Sequence, residues 1–493
     1  MQRSIAGVGE RLTLGLLLAW LLWLPMPFGS VVEAARAPLI LVPLVLCAAA
    51  ALLRLQATRG RTSDVHPTRA FRIWAVGGFL FVAVCTLQIV PLSKPLLQAA
   101  SPESVSIWTM ASRVASLAGV SPRTAFPITI DPATTALELL RMLALLATFA
   151  ASALLIRNHS RRTALAAALG LSALFQMFYG VRAAAAGGRY AIWGWPNTLI
   201  HDRVTGTYVN PNHFAHYLAL VLPVALFLAA VAWHETPPTM PILRRLALIF
   251  ERRMVLVGFS LIVAIGCFAA ILVAQSRGGL LAATAGLLLS VALAPGRRGV
   301  KLAVGAAATL LLLAGLVAFL GTERTIARFR PNSFEQATLV GRVIGIQAAA
   351  GIWQRFPIFG SGLGTFEQVV SIEQRADLDK IYHHAHNDYM ELAATSGTLG
   401  FIIAFVTLAG GYVALYRTTW RRDPDLTWRR RAFQAAALAS LTIALVHALF
   451  DFNFFIPANP ATLAAILGAA VAVHDHDKRS AKIPVRAKPE GER

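Results

Sequence analysis

A hydrocarbon layer about 30 Å thick is crossed by roughly 20 helical residues, because every backbone N–H and C=O inside it must be bonded within the segment. The sequence holds twelve apolar runs near that length, at about 12–29, 37–53, 73–92, 135–156, 163–181, 213–233, 254–274, 279–295, 302–320, 397–416, 432–450 and 460–474. They predict an all-α, polytopic integral membrane protein with about 12 transmembrane helices. A soluble enzyme is excluded on the same ground, since 56% of the 493 residues are apolar, only 14% are charged and the mean hydropathy is +0.61. Arg3 and Arg11 ahead of the first run, and Ala35-Arg36-Ala37 after it, have the outline of a secretory signal. The length of that run and the many that follow read instead as a first membrane helix.

The chain carries 45 Lys and Arg against 24 Asp and Glu, a net charge of +21 that in a soluble protein would suggest nucleic acid. Its distribution points elsewhere. With a cytoplasmic N-terminus and alternating helices, the N-terminus and loops 54–72, 157–162, 234–253, 296–301, 417–431 and 475–493 hold 29 of the cations and 10 of the acids. That excess is the mark of cytoplasmic loops, and it places both termini in the cytoplasm. Cations spread over seven short segments make no nucleic-acid-binding run. Cys47, Cys85 and Cys267 each lie inside an apolar run and read as core residues, without the spacing of a disulfide or metal framework.

Three loops on the other side are long: 93–134, 182–212 and 321–396. A site has room to form there. The organisation expected is membrane helices 1–9 within 1–320, a large partly helical loop over 321–396 carrying catalytic residues, helices 10–12 within 397–474, and a basic tail over 475–493. In the large loop Val340, Val343, Ile344, Ile352, Trp353 and Phe356 can share one helical face, which suggests a helix lying on the membrane surface. Pro357 stops it, and Gly360, Gly362 and Gly364 make a tight connection.

Four polar features stand out. Gln275-Ser276-Arg277-Gly278-Gly279 is a polar hinge between two apolar runs, and an arginine so close to hydrocarbon faces either a protein cavity with a bound anion or, snorkelling, the headgroups. In Tyr382-His383-His384-Ala385-His386-Asn387-Asp388-Tyr389-Met390-Glu391, Asp388 and Glu391 have capping-box spacing, which sets His386 just ahead of a helix N-terminus. A helix dipole there favours an anion over an imidazolium, so His386 could act as a neutral general base beside a phosphate. Metal ligation by His383, His384, His386 and Asp388 is the competing reading. Arg342, near the head of the surface helix, is either a bidentate pyrophosphate ligand or a solvated charge. Asn210, Asn212 and His213, in Thr205-Gly206-Thr207-Tyr208-Val209-Asn210-Pro211-Asn212-His213, are candidates for sugar contacts, with helix-start chemistry as the alternative. Arg141 follows Glu138 by three residues inside a membrane run and reads as a local ion pair.

Four stretches in order, Thr207-Tyr208-Val209-Asn210-Pro211-Asn212-His213-Phe214, Ser276-Arg277-Gly278-Gly279, Gly360-Ser361-Gly362-Leu363-Gly364-Thr365-Phe366 and His384-Ala385-His386-Asn387-Asp388-Tyr389 with Gly397 beyond it, resemble the O-antigen ligase and polymerase superfamily of bacterial polysaccharide assembly. The resemblance spans about 205–410. It implies a metal-independent transferase of the bacterial inner membrane, without a cofactor, that uses a polyprenyl-diphosphate-linked glycan at the periplasmic face. By that resemblance Arg277 and Arg342 match the diphosphate-binding arginines and His386 the catalytic histidine, with His384 and Asp388 beside it as candidate substrate contacts. Ile346 stands where the ligases often show Leu after the Arg342 position. The acceptor expected is a lipid A-core sugar, with the end of another lipid-linked repeat or a protein side chain as the alternatives. A diphosphate leaves readily, so cations and one base suffice, whereas glycoside hydrolysis takes two carboxylates. From a different class, a transporter of lipid-linked sugar or polysaccharide would place its polar residues near the bilayer midplane.

Overall fold

The computed structural model describes residues 2–58, 67–121, 124–186, 203–234, 240–293, 333–373, 382–420 and 427–472. The expected run at 302–320, the tail over 475–493 and half of the 182–212 loop lie outside them. Among the described residues there are fifteen α-helices: α1 Gln2–Trp23, α2 Arg36–Thr58, α3 Arg69–Leu87, α4 Lys94–Ala100, α5 Pro102–Leu117, α6 Pro132–Leu155, α7 His159–Ala185, α8 Pro211–His234, α9 Ile242–Val273, α10 Arg277–Leu293, α11 Ser333–Arg355, α12 Phe366–Glu373, α13 Asp388–Trp420, α14 Trp428–His447 and α15 Ala458–Val471. The only strands among the described residues, β1 Leu92–Ser93 and β2 Ala125–Phe126, form one short antiparallel pair. Seven helices in the described residues are long and apolar enough to cross a membrane, and α10 and α15 are shorter apolar helices. The protein is an all-α, polytopic membrane protein.

Helix α8 is the centre of the bundle. Beyond its polar first turns, which carry Asn212, His213 and His216, it is apolar all round; Phe214, Tyr217, Leu218, Leu220, Val221, Val224 and Leu228 are fully buried, and α7, α9, α10, α14 and α15 pack on it. On the other side α13 lies against α3 and α11, and α6 is held between α2 and α15. The 93–134 loop is not open chain but folds into α4, α5 and the β1–β2 pair.

The apolar run predicts the tenth membrane helix from about 397, yet α13 begins at Asp388 and Gly397 is a break within it, with φ 67° and ψ −179°. That backbone is open almost only to glycine. The break frees backbone groups on both sides. Ala394 and Thr395 carbonyls accept from Ser361 N (3.1 Å) and Gly362 N (3.1 Å), while Thr398 N and Leu399 N donate to Pro357 O (2.8 Å) and Ile358 O (3.2 Å). The Gly360-Ser361-Gly362 loop is therefore stitched into the helix. Buried Gln88, just beyond α3, completes the joint by donating to Phe359 O (2.5 Å) and Thr395 O (2.9 Å) and accepting from Leu363 N (2.9 Å).

The surface-helix reading needs correction. Helix α11 forms, but Ile352 and Phe356 are buried with Val369, Val370 and Ala385, whereas Val340 and Val343 are exposed. The apolar residues do not share one face, because the chain after Pro357 folds back through α12 and covers one side of α11 with protein. Substituting Gly397→Ala places a methyl 2.3 Å from Ile358 O in addition to the strained φ, so a loss of at least ~2 kcal/mol is expected, read as a lower unfolding midpoint of the full chain in detergent.

Candidate active site

Three helices begin at the same end of the bundle. Asn210 caps α8, its Oδ1 accepting from Asn212 N at 2.8 Å; Ser276 caps α10, its Oγ accepting from Gly279 N at 3.1 Å; Asn387 caps α13, its Oδ1 accepting from Met390 N at 3.0 Å. Each such cap is worth about 1 kcal/mol and leaves the positive end of the helix dipole facing the site. The residues ahead of two of these caps, Gln275 and His386, have left-handed φ of 53°, an uncommon conformation for a side-chain-bearing residue. The capping-box expectation is thus off by one residue. Asp388 is the first helical residue, buried, and accepts from Phe454 N at 3.2 and 3.3 Å.

Around these helix ends the chain gathers one carboxylate. Asp451, in the turn after α14, is 1% exposed. Its Oδ2 accepts from Asn212 Nδ2 at 2.8 Å and lies 3.9 Å from an Arg342 guanidinium nitrogen. Its Oδ1 accepts from Phe452 N at 3.0 Å and from His386 Nδ1 at 3.3 Å, with His213 Nε2 at 3.7 Å. Burial alone would raise this carboxyl, but the ring nitrogens of His213 and His386 and the charge of Arg342 outweigh it and hold the group well below the usual carboxylate range. A charge this buried needs such partners.

Phe452, the next residue, is the ring on which the histidines are set. His384 stacks on it at 4.2 Å, and His213 and His386 meet it edge-on at 4.6 and 5.0 Å. The segment ahead of α13 is further tied to the end of α14: Asp388 N donates to Ala448 O (3.0 Å), Asn387 Nδ2 to Leu449 O (3.0 Å) and the Tyr389 hydroxyl to Leu445 O (2.8 Å). From the other side α11 presses on the same segment, since a methyl on Gly345 would lie 3.1 Å from Ala385 O. Arg342, one turn earlier, is thereby set beside His386, and both side chains are 29% exposed.

Arg277 opens α10 and is exposed, with Gly278 against the ring of His447 and Gly279 against Ala215. His447 in turn shares a hydrogen bond with His216, Nδ1 to Nδ1 at 3.0 Å, both rings buried. Arg342 and His386 thus meet at Asp451 from remote parts of the sequence, while Arg277 stands at the start of α10, whose Gly278 packs on His447 of the same α14 end that carries Asp451. Asn210, Asn212 and His213 support the site from below, capping α8 and holding Asp451. The 205–208 stretch is equally engaged: Gln176 Oε1 accepts from Thr207 N (2.9 Å), and Tyr208 donates to Asn459 (3.2 Å). The histidines proposed as metal ligands diverge, His383 facing Glu367, His384 facing Glu391 and His386 facing Asp451. Among the described residues no group of three His, Cys, Asp or Glu is arranged to hold a metal ion.

Asp451 escaped the sequence reading. It stands one residue beyond an apolar run, in Phe450-Asp451-Phe452-Asn453-Phe454-Phe455, and an acid flanked by aromatic residues at a membrane boundary is a signal in its own right.

Residues 259–405 match the family model of O-Antigen ligase. That match bears out the resemblance to the O-antigen ligase and polymerase superfamily over a segment holding Arg277, Arg342, His384 and His386, and it supports a glycan-transferring function. Asn212 and Asp451 lie outside the ligase-matched segment and join it only in the fold. No curated protein matches the chain.

The depressed pKa of Asp451 has a consequence for stability. Its ionised form is bound more tightly in the folded state, so its stabilisation is present above the ordinary value of 3.8 and is lost as pH falls through the lower folded value. An Asp451→Asn variant is expected to be less stable by about 2 kcal/mol at neutral pH, the deficit shrinking below pH ~4. Unfolding midpoints of both proteins across pH measure this.

Proposed function

We propose that this protein transfers a glycan from a polyprenyl-diphosphate carrier to an acceptor hydroxyl at the periplasmic face of the bacterial inner membrane, with both termini in the cytoplasm. The observation that carries the reading is the Asp451 carboxylate, which joins His386 to Arg342. With Nδ1 of His386 donating to Asp451, Nε2 is the nitrogen left to accept a proton. The acceptor oxygen attacks the anomeric carbon and passes its proton to His386. The bond from that carbon to the diphosphate breaks with its electron pair going to the diphosphate oxygen, and the anomeric configuration inverts. Arg277 and Arg342, with the N-termini of α10 and α13, supply the positive field in which that charge develops. Asn212 and His213 act through Asp451 and are positioning residues.

Among acceptors, a lipid A-core sugar is ranked first, which makes the reaction an O-antigen ligation. Polymerisation onto another lipid-linked repeat and transfer to a protein side chain would use the same arginines and histidine. A transporter is disfavoured by the placement of the polar groups, which sit at helix ends on one side of the bundle rather than at midplane.

Purified full-length protein given an undecaprenyl-diphosphate oligosaccharide and a lipid A-core acceptor should form the glycosylated product. His386→Ala and Arg277→Ala should each lower turnover by about 10²–10⁴-fold. Intact turnover in both variants would remove the site assignment. Cells lacking the gene separate the acceptors: polymer left on the carrier marks a ligase, single repeats on the core a polymerase.

A further inference from the structure

A second histidine–acid pair stands beside the first. Glu391, 1% exposed, accepts from His384 Nδ1 at 2.8 Å through Oε1 and from Ala385 N at 2.8 Å through Oε2. The carboxylate is fixed at both oxygens. The His384 ring is clamped in turn by Phe452 at 4.2 Å, nearly parallel at 19°, and by Phe455 at 5.2 Å. With Nδ1 occupied, Nε2 is its remaining donor, and the side chain is 29% exposed. Arg342 comes from one turn before Gly345, which is pressed against Ala385, the residue between His384 and His386.

The charges facing His384 are mostly acidic. Glu391 of α13, Glu367 of α12 and Asp451 after α14 act on it directly, and Glu138 of α6, which Arg141 pairs, is also coupled to it. His383 directs its own Nδ1 to Glu367 Oε1 at 2.7 Å and is largely exposed. Burial would lower the His384 pKa, but Glu391 by charge and hydrogen bond, then Glu367 and Asp451, outweigh it, so the ring stays protonated to higher pH than a free histidine.

We propose that His384, oriented by Glu391, is a further catalytic residue that donates a hydrogen bond from Nε2 to the departing diphosphate, while His386 two residues on takes the acceptor's proton. The inference rests on the transferase reading. The new bond forms between the acceptor oxygen and the anomeric carbon, and the broken bond leaves its electrons on the diphosphate. The acceptor's proton ends on His386, and His384 keeps its own, lending charge where the negative charge grows. Catalysis then needs His384 protonated and His386 free to accept a proton.

The test is the pH profile of kcat and kcat/KM for wild type, His384→Asn and Glu391→Gln. His384→Asn should lose about 10²–10³-fold in kcat with little change in the acceptor KM. The wild-type alkaline limb should vanish in His384→Asn. In Glu391→Gln it should move to lower pH, because the carboxylate that raises the pKa is gone. An unchanged alkaline limb in His384→Asn, or an equal loss at every pH, would overturn the assignment and leave His384 a packing residue. Binding of inorganic pyrophosphate to the same proteins gives an arm independent of turnover. Wild type should bind more weakly as pH rises through the His384 pKa, and His384→Asn should lack that dependence. Glycan transfer without it sinks the His384 role alone, whereas the dependence without any transfer sinks the transferase reading.

Discussion

The fold at the site end is organised by the burial of one charge. A carboxylate 1% exposed beside hydrocarbon is tolerated only when donors surround it, and Asp451 draws them from elements far apart in the sequence. Asn212 and His213 come from the start of α8, His386 from the approach to α13 and Arg342 from α11. The anion gives them a common partner, alongside the backbone ties of α13 to α14 and the packing of Gly345 on Ala385. Removing the charge therefore acts on the proposed base, on the proposed diphosphate arginine and on the packing of three helix ends together, so their effects on activity are not expected to add.

Much of the fold could be read in advance because a membrane enforces a simple pattern. The apolar runs along α2, α3, α6, α7, α8 and α9 became helices of spanning length, since an unbonded backbone has nowhere else to go. What stayed hidden is set by contact across the chain. Hydropathy has no means of showing that the 397 position breaks a helix so that Gly360-Ser361-Gly362 can pair with it. Likewise the apolar spacing in α11 suggests one membrane-facing side, whereas α12 folds over part of it. Arg277, Arg342 and His386 were visible as polar residues in costly or strained surroundings. Asp451 and the Glu391 partnership of His384 were not, because each depends on a neighbour whose distance only the fold decides.

The pairing of two histidines with two buried acids also separates this site from one built on carboxylate chemistry. Glu391 and Asp451 are both saturated with donors, Glu391 by His384 and Ala385 N, Asp451 by Asn212, His386 and Phe452 N. Neither has a free oxygen turned to a sugar. Each acid fixes the tautomer and tilt of its imidazole ring, and each ring is 29% exposed, which is what the proposed mechanism uses.

The opposite end of the bundle shows the complementary use of charge. There Arg161 donates to Leu155 O at 2.6 Å, and Arg162, Gln434 and Arg430 donate to Ala469, Ala470 and Ala472 at the end of α15 at 3.1, 3.3 and 3.2 Å. Glu10 joins α1 to Arg157 and Arg161 at 2.7 and 2.8 Å. Cations thus meet helix C-termini, while the buried acids Asp388, Glu391 and Asp451 lie among the N-termini of α8, α10 and α13. The match is to the helix end each side chain reaches, since Arg162 and Arg430 themselves belong to the first turns of α7 and α14. The basic composition that first suggests a nucleic acid is in part the price of closing helix ends against lipid. At the site end the acids are already held by histidine, asparagine and backbone donors, so the proposed anion would be bound by the position of a few groups and not by a surplus of charge.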